Sequence, residues 1–364
     1  MPAPRRVNRS LEGRYQVETG GSLKFGERFK KKFFVASSEN YLNLTILPTE
    51  KCNFRCTYCY EDFALGKMST DTIKGIKSLL SKAAPTLKGL SVNWFGGEPT
   101  LHIAAVKDIS RHIMALRRKR EFGYAASMTT NGYLLDRELL AELCALGIRK
   151  YQISLDGDKI DHDTTRKLTN GTGSFAKIWG NLLSFRGLED QFKIILRLNI
   201  SSCNSVSMLK LCERIKSRLL VDKRYVVNIE KINNLGEGIS SDVEQYVAKD
   251  VDDTIARIRD SVGLSLRDQD ETDKQSDPYI CYAAMPNHLM IRADGSLGKC
   301  TVMLKDDRNI IGHLNTDGTY TLDNRKMELW TRGFVDMDAA SLGCPAYRLP
   351  SIHTRKGVIN SVTI

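Results

Sequence analysis

Three cysteines, Cys52, Cys56 and Cys59, stand in a C-x3-C-x2-C spacing, with Tyr58 directly before the third. A structural zinc site takes four protein ligands, and a disulfide takes two cysteines. Iron–sulfur clusters are held by cysteine thiolates at short spacings. Three thiolates on a [4Fe–4S] cluster leave one iron open, and an open iron binds a small molecule that has both an amine and a carboxylate. A zinc site completed by a histidine is the alternative.

A second group of cysteines, Cys281, Cys300 and Cys344, lies far along the chain. The first two enclose the pattern C-x13-G-x4-C, in which Gly295 is expected to make a hairpin turn that brings both thiols to one end. Cys344 then arrives as a third thiolate. The fourth ligand is left open: water, a substrate atom or His288 are the alternatives, as is a missing iron.

The other three cysteines are weaker candidates for a functional role. Cys144 and Cys212 lie on apolar helix faces and are interpreted as core residues. Cys203 follows a predicted strand and is within reach of the mouth of the fold, but an ordinary position there is the preferred interpretation.

Alternating strand-like and helix-like segments surround these residues. The predicted strands are 42–49, 90–95, 124–130, 150–156, 193–201 and 225–232, and the predicted helices are 69–83, 104–119, 136–147, 174–185, 205–219 and 241–262. Six β-α units in a row predict a parallel sheet with right-handed crossovers. The number is too small for a closed eight-unit barrel, so we predict an α/β fold with a partial (β/α)6 TIM-like barrel. Its chemistry is expected at the carboxyl ends of the strands.

Four domains are expected: a basic N-terminal extension (1–40), the partial barrel (41–262), an acidic connector (263–280) and a small cysteine-containing C-terminal domain (281–364). The chain of 364 residues has a net charge of +11. No apolar run approaches the length of a membrane helix, and no secretory signal is recognised at the N-terminus, so a cytoplasmic location is expected. The basic runs are interpreted first as solvated faces, and the alternative is that they bind an anionic partner such as an acidic peptide. Nucleic acid is disfavoured because no recognised binding module is present.

The cysteine loop after the first strand, followed by "GGEP" at 96–99 after the second, resembles the radical S-adenosylmethionine (SAM) superfamily. The resemblance covers roughly residues 41–262. The C-terminal cysteines resemble the auxiliary-cluster extension of that superfamily, of the SPASM or twitch type. They lack the later cysteines of the full pattern, so one auxiliary [4Fe–4S] cluster is expected. The resemblance implies that a [4Fe–4S] cluster cleaves SAM and yields a 5′-deoxyadenosyl radical that abstracts hydrogen from a substrate.

The resemblance also implies a set of SAM-binding residues. Glycines of the "GGEP" segment let the backbone approach a ligand, its glutamate accepts a hydrogen bond from the SAM ammonium, and its proline fixes the turn. An arginine of the "HDTTR" segment contacts the SAM carboxylate, and the serine of "SLDG" offers a hydroxyl to the SAM carboxylate or ribose. Asn131 is a weaker candidate for substrate. The residues expected to bind the cofactor are Gly96, Gly97, Glu98, Pro99, Ser154, Asp156, Arg166, Asn199 and Tyr58.

The leading hypothesis is an enzyme that modifies a ribosomally synthesised precursor peptide by forming a cross-link, thioether or epimer. The segments "YCYED", "WFGGEPTL" and "HDTTR" are typical of that branch. Expected partners are the peptide, an electron donor such as flavodoxin or ferredoxin, and a separate leader-binding protein, because too little chain precedes residue 41 for a recognition domain. The alternative is a radical SAM dehydrogenase or rearrangement enzyme acting on a small molecule. Anaerobic sulfatase maturation and a non-catalytic iron–sulfur protein are less favoured. The catalytic acid or base is not identified.

Overall fold

A computed structural model describes residues 26–233, 251–263 and 278–351. The first part of the predicted basic extension, residues 241–250 of the predicted sixth helix and most of the predicted connector lie outside the described residues.

Six parallel strands form the centre of one large sheet. In chain order they are β1 (Tyr41–Ile46), β3 (Gly89–Trp94), β4 (Gly123–Thr130), β5 (Ile148–Leu155), β7 (Lys193–Ile200) and β8 (Tyr225–Lys231). They lie side by side in that same order, as expected for consecutive β-α-β units. The described strands do not close into a barrel, since β8 ends the sheet on one side. The predicted α/β class with a partial barrel is therefore confirmed.

The six predicted helices follow the strands in the expected order, and one helix that was not predicted, α5 (Lys159–Thr165), lies among them. The predicted ones are α2 (Thr70–Ala83), α3 (Ile103–Lys119), α4 (Arg137–Ala145), α6 (Phe175–Phe185), α7 (Ser205–Arg218) and α8 (Asp252–Ser261). Helix α2 illustrates why they form. The hydroxyl of Ser69 accepts a hydrogen bond from the amide of Thr72, which caps the first turn, and Ile76 and Leu80 turn one face into the core.

A helix that the sequence analysis did not predict, α1 (Glu27–Ser37), lies within the expected basic extension. Phe29 packs with Ile280 and Leu342, and Phe33 stacks on Phe334 with ring centroids 4.5 Å apart. These contacts attach α1 to the C-terminal part of the chain rather than leaving it as a free tail.

The C-terminal part continues the sheet of the barrel. Strand β9 (His288–Ile291) runs parallel to β1, and β10 (Ser296–Gly298), β11 (Gly312–Leu314) and β12 (Tyr320–Leu322) follow antiparallel. Gly295 lies between β9 and β10 with φ +88°, at the hairpin turn expected there. Helices α9 (Asn324–Asp336) and α10 (Ala339–Gly343) complete this part. The segment predicted as a separate domain thus shares a sheet with the barrel.

A buried ion pair joins the two parts beside the first cysteine loop. Arg292 donates from Nε and Nη2 to the two carboxylate oxygens of Glu50, both at 2.8 Å. The Glu50 side chain is only 1% exposed.

None of the described helices combines the length and the apolar character needed to cross a lipid bilayer.

Candidate functional site

The loop that carries the first three cysteines begins at the carboxyl end of β1. It contains a short strand, β2 (Phe54–Cys56), which pairs antiparallel with another short strand, β6 (Arg166–Leu168). Cys56 and Arg166 are direct partners in this pairing. The sequence analysis placed the two segments at one edge of the sheet, but the strand pairing that joins them carries no recognisable pattern, because each strand has only three residues.

The three thiols lie close enough to influence one another electrostatically. The pKa values of Cys52 and Cys59 are raised to about 12, chiefly by burial and in part by the charge of neighbouring thiols of the group. Burial also raises the pKa of Cys56, which the guanidinium of Arg166 opposes. All three side chains remain partly accessible. Without a metal the thiols stay protonated at neutral pH, so binding iron must release protons.

Two glycines of the "GGEP" segment pack against the start of the cysteine loop. A Cβ on Gly97 would lie 2.5 Å from the carbonyl oxygens of both Glu50 and Lys51. Gly96 has φ +103°, and a Cβ there would approach the Thr49 carbonyl oxygen even more closely. The sequence analysis expected the glycines to admit a ligand. In the structure they instead make room for the chain's own backbone, one to three residues before Cys52.

The carboxylate of Glu98 is fully buried and accepts four hydrogen bonds. One oxygen accepts from the amide and hydroxyl of Thr100, at 3.0 and 2.6 Å, and from the hydroxyl of Thr130 at 2.8 Å. The other accepts from the amide of Asn131 at 2.7 Å. Burial raises the pKa of Glu98, and the donors oppose that shift. Glu98 therefore ties the loop after β3 to the loop after β4, and Pro99 begins the single turn that follows it.

Asn131 extends this connection to the cysteines. Its side-chain amide donates to Oδ1 of Asn53 at 2.8 Å and approaches the Sγ of Cys52 at 3.9 Å. The Cys52 sulfur also accepts from the amide of Phe54 at 3.4 Å. Three loops at the carboxyl ends of neighbouring strands are thus held together around the first cysteine.

A second hydrogen-bond network surrounds Tyr58. Its hydroxyl donates to Asp156 at 2.6 Å and accepts from Nη1 of Arg166 at 2.9 Å and from the amide of Asn199 at 3.1 Å. Asp156, which is fully buried, also accepts from Thr165 at 2.8 Å and from Asn199 at 3.0 Å. The structure thus brings together Tyr58, Asp156, Arg166 and Asn199, four of the expected cofactor-binding residues. Ser154 lies near them, at the carboxyl end of β5 and in register with Arg197.

His162 connects the backbones that carry Asp156 and Arg166. Its Nδ1 accepts from the Asp156 amide at 3.4 Å, and its Nε2 is 3.1 Å from the hydroxyl of Ser174. That hydroxyl donates to the carbonyl oxygen of Arg166 at 2.7 Å, so Nε2 must be the protonated nitrogen. Burial holds the pKa of His162 well below its usual range, as this arrangement requires.

The second cysteine group also comes together. Cys281 interacts electrostatically with both Cys300 and Cys344. Burial raises the pKa of Cys300 to about 11 and also raises that of Cys281. The amides of Lys299 and Cys300 both donate to Oδ1 of Asn309 at 2.9 Å, which fixes the backbone beside the second thiol.

His288, the alternative fourth ligand of this group, is 2% exposed. Its Nε2 lies 3.0 Å from the hydroxyl of Thr45 on β1, and its ring packs edge-on against Tyr282. Burial holds the pKa of His288 well below its usual range. One ring nitrogen is therefore engaged with the barrel, and Nδ1 has no partner among the described residues.

Unpaired polar atoms concentrate around the two cysteine groups. Seven buried side-chain nitrogen or oxygen atoms of the described residues lack a hydrogen-bond partner. Four of them flank the cysteine groups: Oγ1 of Thr57, Oε2 of Glu61, Nε of Arg166 and Nδ1 of His288. Buried polar groups are normally paired, so this concentration fits a polar ligand at these positions. Burial also raises the pKa of Glu61 to about 8.

No three His, Cys, Asp or Glu side chains of the described residues are close enough to hold one metal ion between them. Each cysteine of an iron–sulfur cluster binds its own iron, so such a cluster needs wider thiol spacing than a single ion does. The thiols fit a cluster by their number, their mutual proximity and their partial exposure.

Several residues that take part in these contacts were not predicted from the sequence: Glu50, Asn53, Thr130, Thr165, Arg292 and Lys299. Thr130 and Thr165 stand inside segments that were singled out, so their proximity to Glu98 and Asp156 had a sequence signal. Glu50 and Arg292 had none, because an ion pair between residues 242 positions apart follows only from the pairing of β1 with β9.

Comparison with known proteins agrees with this geometry. The model of the radical SAM superfamily matches residues 46–189. A GTP 3′,8-cyclase of Microcystis aeruginosa is 28% identical over 288 residues, which cover 72% of this chain and 80% of that protein.

Two solved structures resemble the fold. One, of anSMEcpe with bound AdoMet and the Kp18Cys peptide, has a TM-score of 0.59 at 19% identity and covers 85% of this chain and 88% of that chain. The other, of Streptococcus suis SuiB bound to the precursor peptide SuiA, has a TM-score of 0.52 at 13% identity and covers 85% of this chain and 72% of that chain. At such low identity these two likenesses concern the fold alone.

Proposed function

We propose that this chain is a radical SAM enzyme that modifies a peptide substrate by hydrogen abstraction; the model of that superfamily matches residues 46–189. That match supports enzymatic activity, SAM binding and an iron–sulfur cluster. The substrate and the assignment of individual residues are our proposal. The observation that carries the residue assignment is the strand pairing that sets Cys56 opposite Arg166.

Cys52, Cys56 and Cys59 would hold the first cluster, and the bound cluster and SAM would supply a 5′-deoxyadenosyl radical. Arg166 would bind the SAM carboxylate, since its Nε is buried and has no partner among the described residues. Ser154 would contribute a hydroxyl from the neighbouring strand.

Tyr58, Asp156 and Asn199 would orient Arg166, because all three belong to the network that its guanidinium enters. Gly96, Gly97, Glu98 and Pro99 would act by holding the loops beside Cys52 in position.

We further propose one auxiliary [4Fe–4S] cluster on Cys281, Cys300 and Cys344, held by a unit that begins at residue 281. The mutual proximity of these thiols and the unpaired Nδ1 of His288 support it. Two cubes hold eight irons, so anaerobically reconstituted protein should contain about 7–8 irons per chain. The Cys52/Cys56/Cys59 triple alanine variant should keep about half. Wild-type protein that never exceeds about four irons would contradict the second cluster.

A peptide substrate is supported by the second cysteine group beside the barrel and by the net charge of +11, which suits an acidic leader. The test is anaerobic co-expression with each short open reading frame beside the gene, followed by mass spectrometry of the peptide. A cross-link or thioether removes two hydrogen atoms from the peptide mass. The control is the Cys52/Cys56/Cys59 triple alanine variant, which should leave the peptide mass unchanged.

A small-molecule substrate is the second candidate, and the similarity to a GTP 3′,8-cyclase favours it. Incubation of the reconstituted enzyme with GTP and dithionite distinguishes the two. A rate of 5′-deoxyadenosine formation that GTP raises, with no change in any co-expressed peptide, would replace the peptide proposal by the nucleotide one.

A further inference from the structure

Lys299 is a fully buried lysine whose ammonium has no carboxylate partner among the described residues. Its ammonium donates to the carbonyl oxygens of Met285 and His288, both at 2.6 Å. An ammonium has three N–H donors, so one remains after these two bonds. Lysine is almost never fully buried unless its charge is paired, so this position calls for an explanation.

The surroundings of Lys299 point to the second cysteine group. Lys299 directly precedes Cys300, and its carbonyl partner Met285 follows the short turn that begins after Cys281. Burial lowers the pKa of Lys299 to about 7, and the nearby charge of Cys281 opposes that shift. The side chain therefore reaches from one cysteine of the group toward the segment that carries another.

The energetics favour an anion at this place. Burying an isolated ammonium costs several kcal/mol even after the protein relaxes. Two carbonyl dipoles offset part of this cost but carry no net charge. Three thiolates on an iron–sulfur cluster supply net negative charge, and an apolar environment strengthens their attraction to a nearby cation.

We propose that Lys299 is the counter-cation of the auxiliary cluster and raises its reduction potential. This inference rests on the auxiliary cluster proposed above. One-electron reduction by an external donor adds negative charge to the cluster, and a fixed neighbouring cation stabilises that reduced form. Net charge and hydrogen bonds to the sulfurs are the levers that set such potentials.

The test uses the full chain with the Cys52/Cys56/Cys59 triple alanine change, so that only the auxiliary cluster gives a signal. Iron and sulfide are measured first, because protein without a cluster at this stage would overturn the auxiliary-cluster proposal and this inference together. A redox titration followed by electron paramagnetic resonance then gives the midpoint potential. We compare Lys299→Met with Lys305→Met, since Lys305 is an exposed lysine of the same segment.

Lys299→Met should lower the midpoint potential by at least about 59 mV. For one electron, that shift is a tenfold change in the ratio of reduced to oxidised cluster at a given potential. Lys305→Met should leave the midpoint potential unchanged. An unchanged potential in Lys299→Met would overturn the role of Lys299 while leaving the cluster itself established. If that variant does not assemble the cluster, Lys299→Gln, which keeps N–H donors but loses the charge, decides the question by the same criterion.

A second measurement separates charge compensation from a purely structural role. The two carbonyl bonds of Lys299 do not involve the thiols, so a purely structural role predicts that their loss lowers the melting temperature equally with and without the cluster. Charge compensation instead predicts that cluster binding raises the melting temperature less in Lys299→Met than in the parent protein. An equal rise in both would contradict the proposal.

Discussion

Replacement of Glu98 by glutamine tests whether this carboxylate serves chiefly to hold the loops together. It accepts four hydrogen bonds and has no exposed surface. A glutamine side chain has the same shape but only one acceptor oxygen. Its best placement keeps that oxygen toward Thr100 and Thr130 and turns its NH2 group toward the amide of Asn131, where two donors then face each other.

The expected loss follows from that placement. A hydrogen bond to a charged group contributes about 1.5–3 kcal/mol, and a buried donor left without an acceptor costs about 1–3 kcal/mol. We therefore expect Glu98→Gln to lower the free energy of unfolding by about 3–5 kcal/mol. A typical domain has about 5–15 kcal/mol in total, so the loss is large.

Urea unfolding of the protein without iron, under anaerobic conditions, measures the effect. Trp94 is fully buried at the end of β3, close to this loop, and provides a fluorescence signal. The control is Glu138→Gln on the exposed surface of α4, which should change stability by less than about 0.5 kcal/mol. Weaker SAM binding by Glu98→Gln without any loss of stability would refute the reasoning, because it would mean that the carboxylate faces the ligand.

Three further predictions concern the same region. Arg292→Met, which leaves a buried carboxylate unpaired, should cost about 3–5 kcal/mol in urea unfolding, whereas Arg325→Met at an exposed ion pair should cost under about 1 kcal/mol; equal losses would contradict this. The pKa of His162 is lowered from 6.5 in the folded protein, so its contribution to stability is present above about pH 6.5 and is lost as the pH falls below it. His162→Asn should make the decline of unfolding free energy between pH 7 and 5 shallower, by up to about 1.4 kcal/mol per pH unit, and an unchanged slope would exclude that assignment. Gly97→Ala should displace the cysteine loop and reduce iron uptake on reconstitution, whereas Gly180→Ala, which meets only open space, should reconstitute normally; normal uptake by both would show that the loop tolerates the contact.

The six strand–helix units of the barrel could be predicted because each has a local hydrophobic pattern. Buried strands alternate with amphipathic helices over six units, and each unit is closed by contacts between neighbours in the chain, as with Ser69 at the start of α2. Helix α1 was missed because it is stabilised by distant partners such as Phe334 rather than by its own sequence. The continuation of the sheet into β9 was also missed, since pairing with β1 joins segments about 245 residues apart and leaves no local pattern.

In the candidate site, too, the residue types followed from the sequence, whereas the contacts between them did not. The sequence by itself determined the identity of the thiols, because C-x3-C-x2-C and the later cysteines specify chemistry through residue type and short spacing. It also indicated Glu98, Asp156 and Arg166, because each follows a strand or ends a short motif.

Only the tertiary structure decided what those side chains do. It gave the Glu98 carboxylate four protein donors, set Arg166 opposite Cys56, and buried Lys299 next to a thiol group without a carboxylate partner among the described residues. The physical reason is that hydrogen bonding and charge burial depend on which atoms meet in space. Here the meeting atoms belong to loops that only the parallel sheet brings to one edge.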